Sequence, residues 1–311
     1  MAARNSRAIR RRAPKRPRTT RRSGRKFFLC MFLLLIFALV YVHAGDRIFR
    51  WAGNGTIVLG DNEIMVSFID VGQGDSILIR SRYNAVLIDG GERSARNVVL
   101  NYLRDAGVRR LCYVVATHPH ADHIGGLVYV LRQVDVGRVI MPDITNNTRT
   151  FLNFLSVIDD REIPVTMPLP GHRIQAGILD FTVLGSPDPP PGNVWNNSSI
   201  VLRLEHGQTS FLFTGDAERE QEQWLISNAS NLLPVDVMQV PHHGSSTSST
   251  EAFLDTVNPT VAVISLGANN NHGHPHRSVM DRLNARNIRV YRTDELGTIR
   301  MITNGHRITR T

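Results

Sequence analysis

Residues 117–123, Thr-His-Pro-His-Ala-Asp-His (THPHADH), place three imidazoles and a carboxylate within six consecutive positions. Residues 110–116 (RLCYVVA) read as a buried strand running straight into this stretch, and Ile124-Gly125-Gly126 follows it. A loop that begins where a buried strand ends lies at the strand's C-terminal end, where α/β proteins gather their sites. In a non-helical segment His118 and His120 can converge on one ion while Asp122 and His123 turn to a second. Imidazole nitrogen and carboxylate oxygen suit Zn²⁺, Mn²⁺ or Fe²⁺; two such ions polarise a phosphoryl or carbonyl group and supply a hydroxide.

Outward from this loop the chain alternates short β-rich runs with helical stretches. Residues 63–79 are predicted as two strands around a glycine turn, 84–88 as a third strand ending at Asp89-Gly90-Gly91, and 95–106 as a helix. Further on, 200–205 and 210–214 are strands separated by a hairpin turn at His206-Gly207. Helices at 221–227, 250–257 and 278–285 alternate with strands at 235–240 and 261–266. The expected fold class is α/β, with sheets covered by helices on their outer faces. No element is assigned between residues 124 and 200.

A chain of 311 residues that is 42% hydrophobic buries a core, so disorder is not the default reading. Its formal charge of +9 belongs to the N-terminus. Residues 1–26 carry 12 Lys or Arg and no acid, which leaves 24 arginines against 27 acids, a net −3. That balance argues against tight duplex binding by the rest of the chain, because phosphate neutralisation supplies such affinity. Arg203, Arg277, Arg282, Arg286, Arg289 and Arg292 remain candidates for a local basic rim. The two cysteines, Cys30 in an apolar segment and Cys112 in a core strand, do not read as a disulfide pair.

Residues 27–42 (FFLCMFLLLIFALVYV) carry no charge; Ala44 and Gly45 extend the run toward the roughly 20 residues of a spanning helix. Basic residues before it and acids after it put the N-terminus in the cytoplasm and the rest outside. An uncleaved anchor, a signal peptide cleaved after Ala44 and a buried core helix all compete here, and the long basic tail favours the anchor. The tail reads as the orienting charge and as a contact for anionic lipid head groups. The expected organisation is a cytoplasmic tail (1–26), a transmembrane segment (27–44), a linker (45–60) and one large folded domain (61–311).

The pattern H-x-H-x-D-H after a strand resembles the signature of the metallo-β-lactamase superfamily, and further motifs occur in that family's order. They are Leu87-Ile88-Asp89-Gly90-Gly91, Phe213-Thr214-Gly215-Asp216 and Pro241-His242-His243-Gly244-Ser245. A nearer resemblance is to the extracellular metallohydrolase domain of ComEC-type DNA-uptake proteins. It rests on residues 68–75 (FIDVGQGD), Asn196-Asn197-Ser198-Ser199, Gly273-His274-Pro275 and residues 292–297 (RTDELG). Teichoic-acid phosphocholine esterases resemble it more distantly.

The resemblance implies an αββα sandwich and a ligand set. His118 and His120 would hold one metal, Asp122 and His123 a second, and Asp216 would bridge them. Of His242 and His243, one completes the second site, with His242 preferred; the other, or His274, donates a proton or contacts phosphate. Asp70, Asp75, Asp89 and Asn197 would support the ligands from behind by hydrogen bonds. Where most of the superfamily has a third histidine for the first metal, this chain has Asn196-Asn197-Ser198-Ser199, and His206, at a hairpin turn, is expected to face solvent. Losing an imidazole hardens the first site, so the implied cofactor is Zn²⁺ or Mn²⁺, as one or two ions. Gly72-Gln73-Gly74 lacks the lysine of a phosphate loop and reads as a tight turn.

The expected function is a membrane-tethered extracellular nuclease or other phosphodiesterase, in which a hydroxide supplied by the metal attacks phosphorus. A DNA substrate comes first and a cell-wall diester second. Lactam, lactone or thioester hydrolysis is disfavoured by the missing histidine, and a non-catalytic binding module by the intact five-residue set.

Overall fold

The structure is a computed structural model that describes residues 57–185 and 189–311. The basic tail, the apolar run at 27–44 and most of the linker lie outside the described residues. Among the described residues no helix is long and apolar enough to cross a membrane.

The first half runs β1 (Ile64–Phe68), β2 (Ile77–Arg80), β3 (Ala85–Ile88), α1 (Arg96–Asp105), β4 (Arg110–Leu111), β5 (Tyr113–Val115), α2 (Ala121–Ile124), α3 (Leu127–Gln133), β6 (Asp135–Val136), β7 (Val139–Ile140), α4 (Arg149–Asp160) and β8 (Val165–Thr166). The second runs β9 (Arg173–Ala176), β10 (Leu179–Gly185), β11 (Val201–His206), β12 (Thr209–Phe213), α5 (Arg219–Ala229), β13 (Val237–Gln239), α6 (Glu251–Val257), β14 (Val261–Ile264), α7 (Arg277–Ala285), β15 (Arg289–Arg292), α8 (Thr293–Leu296), β16 (Ile299–Thr303) and β17 (Ile308–Arg310).

Two mixed sheets result, ordered β17-β16-β1-β2-β3-β5-β7-β8 and β15-β14-β13-β12-β11-β10-β9. Alternation along the strands explains their stacking. In β2, Ile77 and Ile79 join Phe68, Phe181, Phe211 and Phe213 in the core between the sheets, whereas Leu78 points the other way, to Val99, Leu127 and Phe154 of the helices. On the second sheet, Leu212, Met238 and Ala262 pack outward on Leu225, Phe253 and Leu283. Strands buried on both faces are mostly apolar, which is why they read as near-continuous hydrophobic runs. The order of layers is helix, sheet, sheet, helix, the sandwich the resemblance implies. Fully burying one of these phenylalanines is worth about 1.5–3 kcal/mol over leaving it exposed.

Two departures from the sequence reading have physical causes. Residues 110–116 are not one strand: at Cys112 the chain steps from β4, which pairs with β6 in a separate two-stranded sheet, into β5. The segment left unassigned holds α4, with Phe151, Phe154, Val157 and Ile158 buried at helical spacing and the Thr148 hydroxyl capping the Phe151 N–H at 3.4 Å.

The parallel ladders β3-β5-β7 and β12-β13-β14-β15 end at one edge of the sandwich. The loops after β3, β5, β12, β13 and β14 carry Asp89, residues 117–123, Asp216, His242-His243 and His274 respectively.

A candidate metal centre at one edge of the sandwich

Asp89 organises the first loop. Its Oδ1 accepts the Thr117 N–H at 2.9 Å and its Oδ2 the Thr117 hydroxyl at 2.7 Å, while His123 Nδ1 donates to the same Oδ2 at 2.8 Å. Because an acceptor-only carboxylate holds Nδ1–H, His123 turns its Nε2 toward the site. His243 is fixed in the same way, its Nδ1 donating to the Ser265 carbonyl at 2.9 Å. Close backbone packing tightens the frame: a Cβ on Gly74 would stand 2.1 Å from the Asp122 carbonyl, and one on Gly126 1.9 Å from that of Gly90.

Asp216 lies between two groups of donors. Its Oδ1 is 3.3 Å from His123 Nε2 and 3.4 Å from His243 Nε2; its Oδ2 is 3.5 Å from His118 Nε2 and 3.7 Å from His242 Nε2. Asp122 Oδ2 approaches His243 Nε2 at 3.4 Å and His123 Nε2 at 3.9 Å. His120 Nδ1 is 3.1 Å from His118 Nε2. One group (Asp75, His123, Asp216, His243) and another (His118, His120, Asp216) each bring donor atoms within 4.8 Å of one another. Within the first, Asp75 stands behind the rings, 3.8 and 4.0 Å from the two Nδ1 atoms that already donate elsewhere. Asp122 instead faces the Nε2 atoms of both rings.

The residues fit a divalent cation. His123 Nε2, His243 Nε2 and Asp216 Oδ1 are buried and have no hydrogen-bond partner, a costly arrangement that one cation resolves. The protonation pattern shows the same demand for positive charge. Burial disfavours a charged imidazole, yet the nearby carboxylates of Asp216, Asp122 and Asp75 lift His243 to about 9. His123 is likewise held well above its ordinary value against burial, by Asp216, Asp89 and Asp122. Asp216 is buried but driven well below the usual carboxylate range by His123, His243 and His118. The raised His123 and His243 favour protons where a metal would bind, and metal binding would displace them. On the other side, burial and the neighbouring His123 push His118 well down, leaving a neutral imidazole, the form that ligates.

The expectation preferred His242 as ligand, but of the two paired histidines it is His243 that lies buried among the other donors. Both adopt left-handed backbone, φ 52° for His242 and 54° for His243, a strained conformation for these residues. That twist sends His243 into the buried cluster and leaves His242 at the mouth, with Nδ1 3.1 Å from the Thr247 hydroxyl and 3.3 Å from Glu218 Oε1. His274 lies beyond it, ring centroids 5.7 Å from His242 and 6.3 Å from His243. Burial and four neighbouring histidines, His243 foremost, lower His274 to about 4.

Of the supporting residues, Asp75 accepts from Gln239 Nε2 at 2.6 Å and is raised to about 6, chiefly by burial. Asp70 does not reach the cluster: its Oδ1 accepts the Gly72 N–H at 3.2 Å and closes its own turn. Asn197 does not touch a ligand either; its Oδ1 accepts the Glu218 N–H at 2.9 Å and holds the loop after Asp216. His206 is 9% exposed rather than solvent-facing, its Nε2 3.0 Å from the Asn62 carbonyl. Of the arginines considered for a basic rim, Arg203, Arg277, Arg286 and Arg292 pair with Glu205, Asp281, Asp255 and Asp294.

Three residues of the site escape sequence reasoning. Ser199 Oγ accepts the Asp216 N–H at 3.1 Å and lies 3.5 Å from His118 Nδ1. Gln239 links Asp75 to the Thr214 N–H, which its Oε1 accepts at 3.0 Å. Trp195, 40% exposed, stands edge-to-face with His120 at 5.9 Å between centroids. Ser199 and Gln239 carry a faint signal, being polar residues beside apolar strands.

The fold and the donor set together define a metal-dependent hydrolase. The chain belongs to the metallo-β-lactamase superfamily, whose family model matches residues 69–268. It is similar to ComE operon protein 3 of Bacillus subtilis (34% identity over 252 residues, 75% of this chain) and to competence protein ComA of Neisseria gonorrhoeae (32% over 241 residues, 77% of this chain). It spans 32% of the length of each of these relatives. Among solved structures, CmlA, a diiron β-hydroxylase from Streptomyces venezuelae, shares the fold with TM-score 0.51 at 15% identity, over 80% of this chain and 54% of that one.

Proposed function

We propose that the protein is a membrane-tethered extracytoplasmic phosphodiesterase whose substrate is DNA. The observation that carries the catalytic part is the convergence of two partnerless buried nitrogens, His123 Nε2 and His243 Nε2, on Asp216 Oδ1, with His118 Nε2 beside Oδ2. Likeness to competence proteins supports DNA as substrate. The uncharged run at 27–42 behind a basic tail supports the anchor, with the hydrolase domain outside.

When bound, Zn²⁺ or Mn²⁺ supplies Lewis acidity and a hydroxide at neutral pH. His118, His120 and Asp216 would hold one ion, and Asp122, His123, His243 and Asp216 the other. Asp89 and Ser265 fix the imidazole tautomers, and Asp75 and Gln239 fix the strand end that carries Asp216. His242, steadied by Glu218 and Thr247 at the mouth, donates the proton to the leaving oxygen. His274, neutral at pH 7, contacts a phosphate oxygen through its N–H.

The test sets plasmid DNA, bis(p-nitrophenyl) phosphate and p-nitrophenyl phosphorylcholine before the purified protein with Mn²⁺ or Zn²⁺. DNA and the bis ester are expected to be cleaved. Turnover of none of the three by metal-loaded protein overturns the phosphodiesterase reading, and turnover of the phosphorylcholine ester alone transfers it to a cell-wall diester. Activity surviving in both Asp122→Ala and Asp216→Ala overturns the ligand assignment. Membrane-fraction protein beginning at Gly45 replaces the anchor by a cleaved signal.

A further inference from the structure

The ends of β12, β13 and β14 opposite the metal donors open onto a separate cavity of about 300 Å³. Its walls come from β15, the edge strand of one sheet, and from β16 and β17, the edge hairpin of the other. Val237, Val261, Met301 and Ile308 give it an apolar base, and Arg289, Arg307 and Arg310 line the exposed rim.

Some exposed arginines have acidic partners, as Arg82 has Asp61 and Arg110 has Asp135. These three have no ion pair among the described residues; Arg310 instead lies over the Tyr291 ring, 4.8 Å from its centroid. The lining contributes one carboxylate, Asp236, and its Oδ2 accepts the N–H and hydroxyl of Ser210 at 2.8 and 3.1 Å. Positive charge is thus concentrated here in a part of the chain where acids outnumber bases. Guanidinium forks match phosphate oxygens in geometry and charge. Pockets for small organic ligands run from about 300 to 1,000 Å³, with apolar walls and a few polar groups that orient the ligand.

We infer that this cavity binds a phosphate-bearing organic molecule of mononucleotide size, its phosphate on the arginine rim and its ring on the apolar base. Strands of three to five residues at about 3.3 Å per residue separate it from the metal cluster by on the order of 10–15 Å, so such a ligand does not touch both. The site is therefore independent of the catalytic reading.

The test is calorimetric titration of the full-length protein in EDTA, which removes the metal centre from the measurement, with adenosine 5′-monophosphate, adenosine and inorganic phosphate. The nucleotide is expected to bind, adenosine and phosphate each at least tenfold more weakly. The double variant Arg307→Ala/Arg310→Ala is expected to lose roughly tenfold or more in affinity, the scale of a lost charged hydrogen bond. Arg289→Ala, on another strand, gives an independent reading should the double variant not fold, and Asp216→Ala keeps the wild-type affinity. No nucleotide binding to wild type, equal binding of adenosine or of phosphate, or wild-type affinity in folded arginine variants overturns the inference.

Discussion

His123 Nδ1 and Asp89 Oδ2 stand 2.8 Å apart, and the same carboxylate anchors the backbone N–H and hydroxyl of Thr117. One side chain therefore sets both the tautomer of His123 and the start of the loop that carries four of the proposed ligands. Asp89→Asn keeps the shape and removes the charge. It is expected to weaken metal binding about 10–100-fold, read by competition with a chromophoric chelator. Asp89→Ala also strands the buried Thr117 N–H, and its thermal midpoint is expected to fall by the equivalent of about 1–3 kcal/mol.

His242 and His243 should separate cleanly. His243→Ala removes a ligand and is expected to lose one equivalent of bound metal by elemental analysis, with activity. His242→Ala is expected to retain its metal and lose about 10²–10⁴-fold in kcat, as for removal of a positioned proton donor. Metal loss in His242→Ala with none in His243→Ala would reverse the assignment.

What was legible in the sequence and what was not follows from where the partners lie. THPHADH, Asp89-Gly90-Gly91 and Asp216 are readable because ligand chemistry is packed into short segments at strand ends. The His242-His243 choice is not, since two adjacent identical side chains are told apart only by left-handed backbone in the turn from Pro241 to Gly244. The turn at Gly207 is correctly placed, but what buries His206 is Asn62, 144 residues away. Asp70 and Asp75 flank one turn and look equivalent; only Asp75 meets Gln239, a contact spanning 164 residues. Periodicity reads local order, and these outcomes depend on tertiary partners.

The metal-free protein carries its own pH signature. His243 has its folded value near 9, above the ordinary 6.5, so the stability it contributes is full below about pH 6.5 and is lost as pH rises through 9. Asp75, raised to about 6, works against folding increasingly between pH 3.8 and 6. In EDTA the thermal midpoint is expected to fall between pH 6.5 and 9, with a shallower fall in His243→Ala. Adding Mn²⁺ or Zn²⁺ should raise the midpoint, most strongly at the alkaline end, where metal no longer competes with protons. A flat profile in EDTA would refute the protonated cluster.

Trp195 bears on the substrate. The Asn193 side chain accepts the Trp195 backbone N–H at 3.2 Å and Ser198 Oγ donates to the Trp195 carbonyl at 2.7 Å, which fixes the backbone from which a half-exposed indole meets His120 edge-to-face. Such a ring offers a stacking face to an unpaired base, worth about 1–3 kcal/mol, and offers little to a polyol phosphate that has no ring. Trp195→Ala is expected to raise KM for a single-stranded oligonucleotide roughly 5–100-fold with kcat nearly kept, and Trp195→Phe to restore most of it. An abasic oligonucleotide of equal length should show no such difference between wild type and Trp195→Ala. Equal losses on both oligonucleotides would mean that the indole only braces His120, and the case it makes for a base-bearing substrate would fall.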